Sequence, residues 1–396
     1  MKIIQITPSY KPAYVYGGPT MSVAKLCETL ALQHTHAGTE DCKFELEVLT
    51  TTANGKEELR VKSGEQVMVD GVPVTYFKRI TKDHTHFSPD LLLNLRKKII
   101  AHKIARQPVV IHIHSWWNLV TIFSCLIAKI YRIPVLLTPR GMLTQYTATT
   151  KNSRAKSLIH KLLGKNLLNY CHIHATSEKE EKDILEIVKP KSLSIIYNLV
   201  SLAKNRIHSP PECGSAHLKL IFLSRIEAKK GLELLFEALS ELPTKWELTI
   251  AGNGEKEYIE ALKHKTRSLG VADKVNWVGQ INNNDKFQLL ADHDLMVLTS
   301  YNENFANVVV ESLSMGTAVM VSEEVGLADY VKQHALGWVC SLTSESIRET
   351  LLFAAKSGAR RLEIRNKAAN FIERDFNPTT LTDKFMSLYQ KISVRG

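Results

Sequence analysis

Residues 294–321 read DLMVLTSYNENFANVVVESLSMGTAVMV, and the spacing of their apolar residues changes twice. Leu295–Leu298 is a continuous apolar run of strand length. Val308, Val309, Val310 and Leu313 recur as on one face of a helix, and Thr317–Val321 is continuous again. Gly316 marks the step from helix to strand. A strand, a helix and a second strand in this order form a βαβ unit, whose parallel strands are buried on both faces.

The same rhythm runs outward in both directions. In the second half strands are expected near 218–223, 246–251, 275–278, 294–298 and 317–321, with helices near 231–241, 255–269, 285–291, 306–315, 344–357 and 360–374. In the first half strands are expected near 2–6, 44–50, 109–113, 134–138, 171–175 and 193–197, and helices near 19–33, 89–106, 117–131, 154–169 and 177–188. Val67–Asp70 and Val72–Phe77, joined at Asp70-Gly71, read as a hairpin insertion. Ala203–His217, with Pro210-Pro211 and Gly214, reads as a linker. The expected fold is therefore α/β, with two tandem doubly wound domains, 1–200 and 201–377, whose sheets turn their carboxyl ends to one central cleft. A last helix near 378–393 exceeds the second domain's complement, and with the tail to 396 it is expected to pack back on the first.

Composition excludes several classes. The chain has 396 residues, 44% apolar and 23% charged, which rules out disorder, collagen and coiled coil. No apolar run is long enough to span a bilayer, and Met1–Ile6 reads as a first strand rather than a signal peptide. Cys27, Cys42, Cys125, Cys171, Cys213 and Cys340 show no Cys-x-x-Cys spacing, as expected of reduced thiols in a cytosolic protein.

The net charge of +11 is lopsided. Residues 1–204 hold 28 basic and 16 acidic side chains, whereas 205–396 hold 23 and 24. Leu91–Ser177 contains thirteen basic residues and no carboxylate, which implies an anionic neighbour. No helix-turn-helix, zinc-finger or RNP pattern points to nucleic acid. Ser153–Asn169 alternates Lys with Leu and Ile at helical spacing, and such a basic amphipathic helix suits an anionic membrane surface. The expected location is cytoplasmic and peripheral, on the inner face of the plasma membrane.

Chemistry-bearing residues gather where strands end. Ser224–Gly231 follows one strand and opens a helix, so Arg225 and Lys230 stand where a diphosphate is best held. Gly252 and Gly254 follow the next strand and permit close approach of a ligand. Glu303 lies in the strand-to-helix loop of the opening segment. Glu311 lies eight residues on among apolar neighbours, where a carboxylate is costly unless bound, for instance by ribose hydroxyls. Backbone N–H groups of Asn304, Phe305, Ala306 and Asn307 at that helix start could hold phosphate. In the first half Gly17-Gly18 forms a second turn able to approach phosphate, His114 ends the strand that also carries His112, and Arg140 ends the next.

Together these loops resemble the retaining family-4 glycosyltransferases, which have the GT-B fold, over nearly the whole chain. The resemblance rests on Glu303-x7-Glu311 followed by Gly316-Thr317-Ala318-Val319, on Ser224-Arg225 with Lys230-Gly231, on Gly17-Gly18, and on His112-Ile113-His114. Thr138–Leu143 (TPRGML) is similar to enzymes of the family that build bacterial surface polysaccharide such as capsule, O-antigen or exopolysaccharide. The resemblance implies transfer of a sugar from a nucleoside-diphosphate-sugar to a lipid-linked or glycan acceptor. It implies that Arg225 and Lys230 neutralise the leaving diphosphate, Glu311 holds the ribose, and Glu303 touches the donor sugar. It further puts Gly18 at the diphosphate, His114 beside the sugar and Arg140 on the acceptor side. No metal or other cofactor is implied. Asn304 and Ala306 stand where the family frequently has glycine, and Leu199 follows Asn198 where the interdomain hinge often has one.

Other readings compete. Asp292-His293-Asp294 resembles a metal-binding Asp-x-Asp, but it opens a strand rather than closing one, so a structural role is expected. Four His-x-His pairs (34/36, 84/86, 112/114 and 172/174) could in principle chelate zinc, yet nothing completes a set. A non-hydrolysing nucleotide-sugar 2-epimerase shares the fold, and a catalytically silent membrane scaffold would keep the basic face and lose the donor site.

Overall fold

The computed structural model describes residues 1–36, 44–144, 163–203, 217–282 and 285–394. The chain divides into two compact units, Met1–Leu199 with Pro378–Gly396, and Val200–Asn377. Most of the expected amphipathic helix at 154–169 and of the linker at 203–217 lies outside the described residues.

In the first unit the strands are β1 (Lys2–Thr7), β2 (Glu45–Thr51), β3 (Ala53–Asn54), β4 (Glu57–Glu58), β5 (Gln66–Val69), β6 (Val72–Phe77), β7 (Val109–His114), β8 (Val135–Thr138), β9 (His172–Ala175) and β10 (Ser192–Ile195). Eight of them form one sheet in the order β10-β9-β8-β7-β1-β2-β6-β5, and β3 pairs β4 apart from it. All neighbours in the large sheet run parallel except β5, which turns back on β6 through Asp70-Gly71, both at positive φ. The turn was legible, but the hairpin is no insertion: β6 pairs in parallel with β2 and belongs to the sheet.

The second unit contains β11 (His217–Leu223), β12 (Lys245–Ala251), β13 (Val275–Gly279), β14 (Leu295–Leu298), β15 (Ala318–Ser322) and β16 (Gly337–Cys340), all parallel, in the order β13-β12-β11-β14-β15-β16. In order of appearance this is 3-2-1-4-5-6, the doubly wound arrangement whose direction of winding reverses between the first and fourth strands. The first unit reverses in the same way between β1 and β7. Central strands are largely apolar because both faces are covered: every residue of β7, β14 and β15 is buried, the two histidines of β7 included.

Helices of the first unit used below are α1 (Gly18–His36), α2 (Pro89–Ile104), α3 (Leu119–Ile130), α4 (Lys165–Tyr170) and α5 (Glu178–Ile187). Asn118 caps α3 by accepting from the Thr121 N–H, and Ser177 caps α5 by accepting from Glu180 N–H. The second unit continues with α6 (Leu232–Ser240), α7 (Lys256–Ser268), α8 (Asp285–Ala291), α9 (Asn307–Ser314), α10 (Ala328–Gln333), α11 (Ser344–Lys356) and α12 (Gly358–Asp375). The last helix, α13 (Pro378–Ser393), lies in the first unit and inserts Leu381, Phe385, Leu388, Tyr389 and Ile392 into its core. Among the described residues, no helix is long and apolar enough to cross a membrane.

Candidate active site

In the second unit the loops after β11 and β14 meet at the reversal point. Tyr301 N–H donates to the Lys229 carbonyl at 2.8 Å, and Thr299 Oγ1 donates to that of Gly231 at 3.0 Å. Lys230 is 5% exposed and its ammonium is ion-paired with the Glu303 carboxylate. Burial pulls the Lys230 pKa below its ordinary value, with Lys229 and Arg225 acting the same way and Glu303 opposing. Arg225 stands beside it, half-exposed, with Nη1 2.6 Å from Glu227. Glu303 itself is clamped by the loop after β15: its N–H donates to Glu324 O at 3.2 Å and its carbonyl accepts from Gly326 N at 2.7 Å.

Glu311 sits in α9, as the sequence suggested, but it has a partner that the sequence did not reveal. Lys286, from α8, donates to Glu311 Oε1 at 2.7 Å, and both side chains are largely buried. The two expected carboxylates therefore each hold a lysine.

The glycines answer to the protein around them. A Cβ at Gly252 would stand 1.8 Å from the Ser224 carbonyl oxygen, and one at Gly254 2.2 Å from that of Ile226. The segment after β11 continues alongside the one after β12, with Ile226 N–H donating to Asn253 O at 2.8 Å. Gly252, expected to admit a ligand, admits the neighbouring backbone closely. Gly231, at φ +67°, would set a Cβ 2.2 Å from Thr299 O.

Several residues with side chains adopt positive φ in loops that follow strands, Ser115, Trp117, Arg140 and Ala306 among them. Ala306 precedes α9 at φ 68°, ψ 76°. A left-handed alanine costs roughly 1–2 kcal/mol, and glycine removes that cost while gaining entropy in the unfolded chain. Ala306→Gly is expected to stabilise the second unit by about 0.5–1 kcal/mol, and urea melts with an unchanged slope check it. A lower midpoint would contradict the strain.

In the first unit Gly17 (φ +64°) and Gly18 form the turn between β1 and α1, Gly18 being the first residue of that helix. His114 ends β7 and is 1% exposed. Its Nε2 lies 2.7 Å from Gln5 Oε1, and its Nδ1 lies 3.4 Å from Arg140 Nη2. Alternation along β7 turns both His112 and His114 to the face covered by α13, and the His114 ring is engaged at both nitrogens. Arg140 also donates from Nη1 to Asn198 Oδ1 at 3.0 Å, while its Nε is buried without a partner. Burial lowers the Arg140 pKa to about 10. Glu180, 2% exposed, supports this loop by accepting from the N–H groups of Gly141 (2.6 Å) and Thr176 (2.7 Å).

The rival metal readings find little support in the geometry. Asp294 accepts from Lys219 N–H at 2.9 Å, and His293 bonds Leu289 O and Thr249 Oγ1, which is strand-opening structure. Among the described residues no three His, Cys, Asp or Glu side chains are grouped to hold a metal ion.

Two family models tile the chain at this architecture: "Glycosyltransferase Family 4" matches residues 17–204 and "Glycosyl transferases group 1" matches 206–371. The chain belongs to glycosyltransferase family 4. It has the GT-B fold of two Rossmann-like domains, and it is a transferase by family. Among the family's curated proteins, an uncharacterized glycosyltransferase of Methanocaldococcus jannaschii is 30% identical over 181 residues, 45% of either chain. A lipopolysaccharide 1,6-galactosyltransferase of Salmonella typhimurium is 26% identical over 156 residues, 38% of this chain and 42% of its own. The chain thus aligns with less than half the length of either relative. Anabaena HepE, solved in complex with UDP-glucose, superposes with a TM-score of 0.70 at 17% identity, covering 99% of this chain and 100% of its own, a likeness of fold.

Proposed function

We propose that this family-4 member is a retaining glycosyltransferase that moves a sugar from a nucleoside-diphosphate-sugar to a lipid-linked or glycan acceptor in bacterial surface polysaccharide synthesis. The observation that carries this reading is the buried Lys230–Glu303 pair at the reversal point of the second sheet, with Arg225 beside it and Lys286–Glu311 on neighbouring helices. The UDP-glucose in HepE and the lipopolysaccharide role of the Salmonella relative support the donor and pathway classes.

On this reading the donor's diphosphate draws Lys230 away from Glu303, and Arg225 and Lys230 stabilise the charge that develops as the anomeric C–O bond breaks. Glu311 accepts hydrogen bonds from the ribose hydroxyls through the carboxylate oxygen that Lys286 leaves open. Glu303, released, accepts from donor-sugar hydroxyls. The acceptor oxygen bonds to the anomeric carbon on the face the diphosphate leaves, which retains configuration, and its proton passes to the departing diphosphate. The two cations supply the neutralising charge, so no metal ion is required. The acid-free stretch at 91–177 suits an anionic leaflet that presents the acceptor.

Thermal-shift measurements with UDP, GDP, ADP, CMP and their sugars, with and without Mg²⁺, test the donor class. One nucleotide is expected to raise the melting temperature independently of Mg²⁺. Glu311→Ala is expected to weaken it roughly 10–100-fold, the worth of a charge-assisted hydrogen bond. No shift with any of them would overturn the reading and favour a silent scaffold.

A further inference from the structure

Two helices of the first unit end on the same pattern, Lys-Ile-x-Arg-x-Pro-Val. Lys103-Ile104-Ala105-Arg106-Gln107-Pro108-Val109 closes α2 and opens β7, and Lys129-Ile130-Tyr131-Arg132-Ile133-Pro134-Val135 closes α3 and opens β8. β7 and β8 are parallel neighbours, so both endings fall at the amino edge of the sheet. They are joined there: Lys103 Nζ donates to the Tyr131 carbonyl at 3.1 Å, and Arg96 Nε donates to the Tyr131 hydroxyl at 2.8 Å.

The fold has no use for the isoleucines or the arginines of this pattern. Leu91, Leu95 and Ile99 of α2 are buried, yet Ile104 is 79% exposed and Ile130 66%. Arg106 (φ 53°) and Arg132 (φ 55°) occupy the left-handed position just past each helix, where glycine is preferred and a side chain is strained. A cation near a helix C-terminus gains from the dipole, as Lys103 does. That gain requires neither a left-handed arginine nor a bare isoleucine beside it. Carboxylates do not offset the patch, since residues 91–177 contain none. At the neighbouring ends of β1 and β2, Glu45 pairs with Lys2, and Glu47, 2% exposed, pairs with Lys2 and Lys98.

We propose that this edge of the first unit is the face that meets an anionic membrane, with Ile104 and Ile130 entering the headgroup layer and Lys103, Arg106 and Arg132 pairing with lipid phosphates. Apolar side chains ringed by cations suit that boundary. Nucleic acid offers phosphates but no apolar layer for two isoleucines. The inference rests on the reading of the acid-free stretch as facing an anionic leaflet, and it names the surface that does so. His114 and Arg140 stand at or beyond the carboxyl ends of the same two strands, about 20 Å away. A bilayer at the amino edge therefore leaves their loops open, and a lipid-linked acceptor spans that distance with its headgroup.

Co-sedimentation of the full chain with phosphatidylcholine vesicles, with and without phosphatidylglycerol, tests the proposal. The wild type is expected to bind only the anionic vesicles, and less as salt is added. Arg106→Gly combined with Arg132→Gly separates surface from fold. Glycine relieves the left-handed strain, so this variant is expected to melt about 2–4 °C higher while binding at least tenfold more weakly. Ile104→Ser combined with Ile130→Ser is expected to lose binding to a similar extent at an unchanged melting temperature. If the wild type binds and either double variant binds equally well, this surface is excluded and the contact passes to another basic stretch such as 153–169. A wild type indifferent to phosphatidylglycerol, or one retained by duplex DNA and not by vesicles, sinks the leaflet reading together with the inference. Nucleotide-induced shifts are read separately, and their absence would sink the donor reading alone.

Discussion

Replacing Lys230 with methionine is expected to cut turnover of the sugar nucleotide by about 10²–10³-fold, the usual cost of removing one aligned group from a developing negative charge in a water-poor site. The substitution keeps the buried stem and discards only the ammonium. Glu303, whose side chain is 21% exposed, loses its partner but retains access to water, so the fold is expected to survive. Release of nucleotide from the donor identified by thermal shift, measured against water as acceptor, supplies the assay. Lys229→Ala, which alters an exposed neighbour, is expected to stay within twofold. Wild-type turnover by Lys230→Met would remove the diphosphate role from this loop.

Acid is expected to destabilise the first unit sharply. His112, His114 and His174 are neutral in the fold, with pKa values driven well below the ordinary 6.5, that of His174 to about 3. The unfolded chain binds protons at these positions near pH 6.5 and the folded chain does not. Stability is therefore full above about pH 6.5 and falls as the pH drops below it. Each group contributes about 1.4 kcal/mol per pH unit once the unfolded form titrates, so the three together cost about 4 kcal/mol by pH 5.5. His86, lowered to about 4 by burial, acts in the same direction. For a unit of this size the loss corresponds to a melting temperature roughly 10 °C lower at pH 5.5 than at pH 7.5. A melting temperature that does not change over that range would show that the rings take up protons without penalty.

Parallel strands were legible in the sequence because burial on both faces favours nearly continuous apolar runs, as in β14 and β15. β16 and α10 were missed: β16 is four residues opened by a glycine, and α10 is six residues, fewer than two turns. Arg225, Lys230, Glu303 and Glu311 could be picked out because parallel sheets place their ligand groups just past strand ends, which is a property of order along the chain. Lys286 could not, since its pairing with Glu311 depends on how α8 packs on α9. Gly252 was singled out for a ligand, whereas the carbonyl of Ser224 is what excludes a side chain there. His114 was placed by its strand position, but its ring's partners, Gln5 on β1 and Arg140 after β8, are set by the order of strands in the sheet. Glu180 and Gln5 carried no signal at all, being ordinary polar residues whose partners are set by tertiary structure.

The place of Tyr389 has a consequence for synthesis. When residues 1–199 have left the ribosome, the side chains of Gln5 and His112 and the apolar floor beneath α13 still lack the helix that completes them. The second unit, continuous from 200 to 377, is translated whole before that helix emerges. At roughly 5–20 residues per second the delay is on the order of 10–40 s. The half of the molecule that is made first is thus the half that is finished last, and during that interval it is a natural client for chaperones.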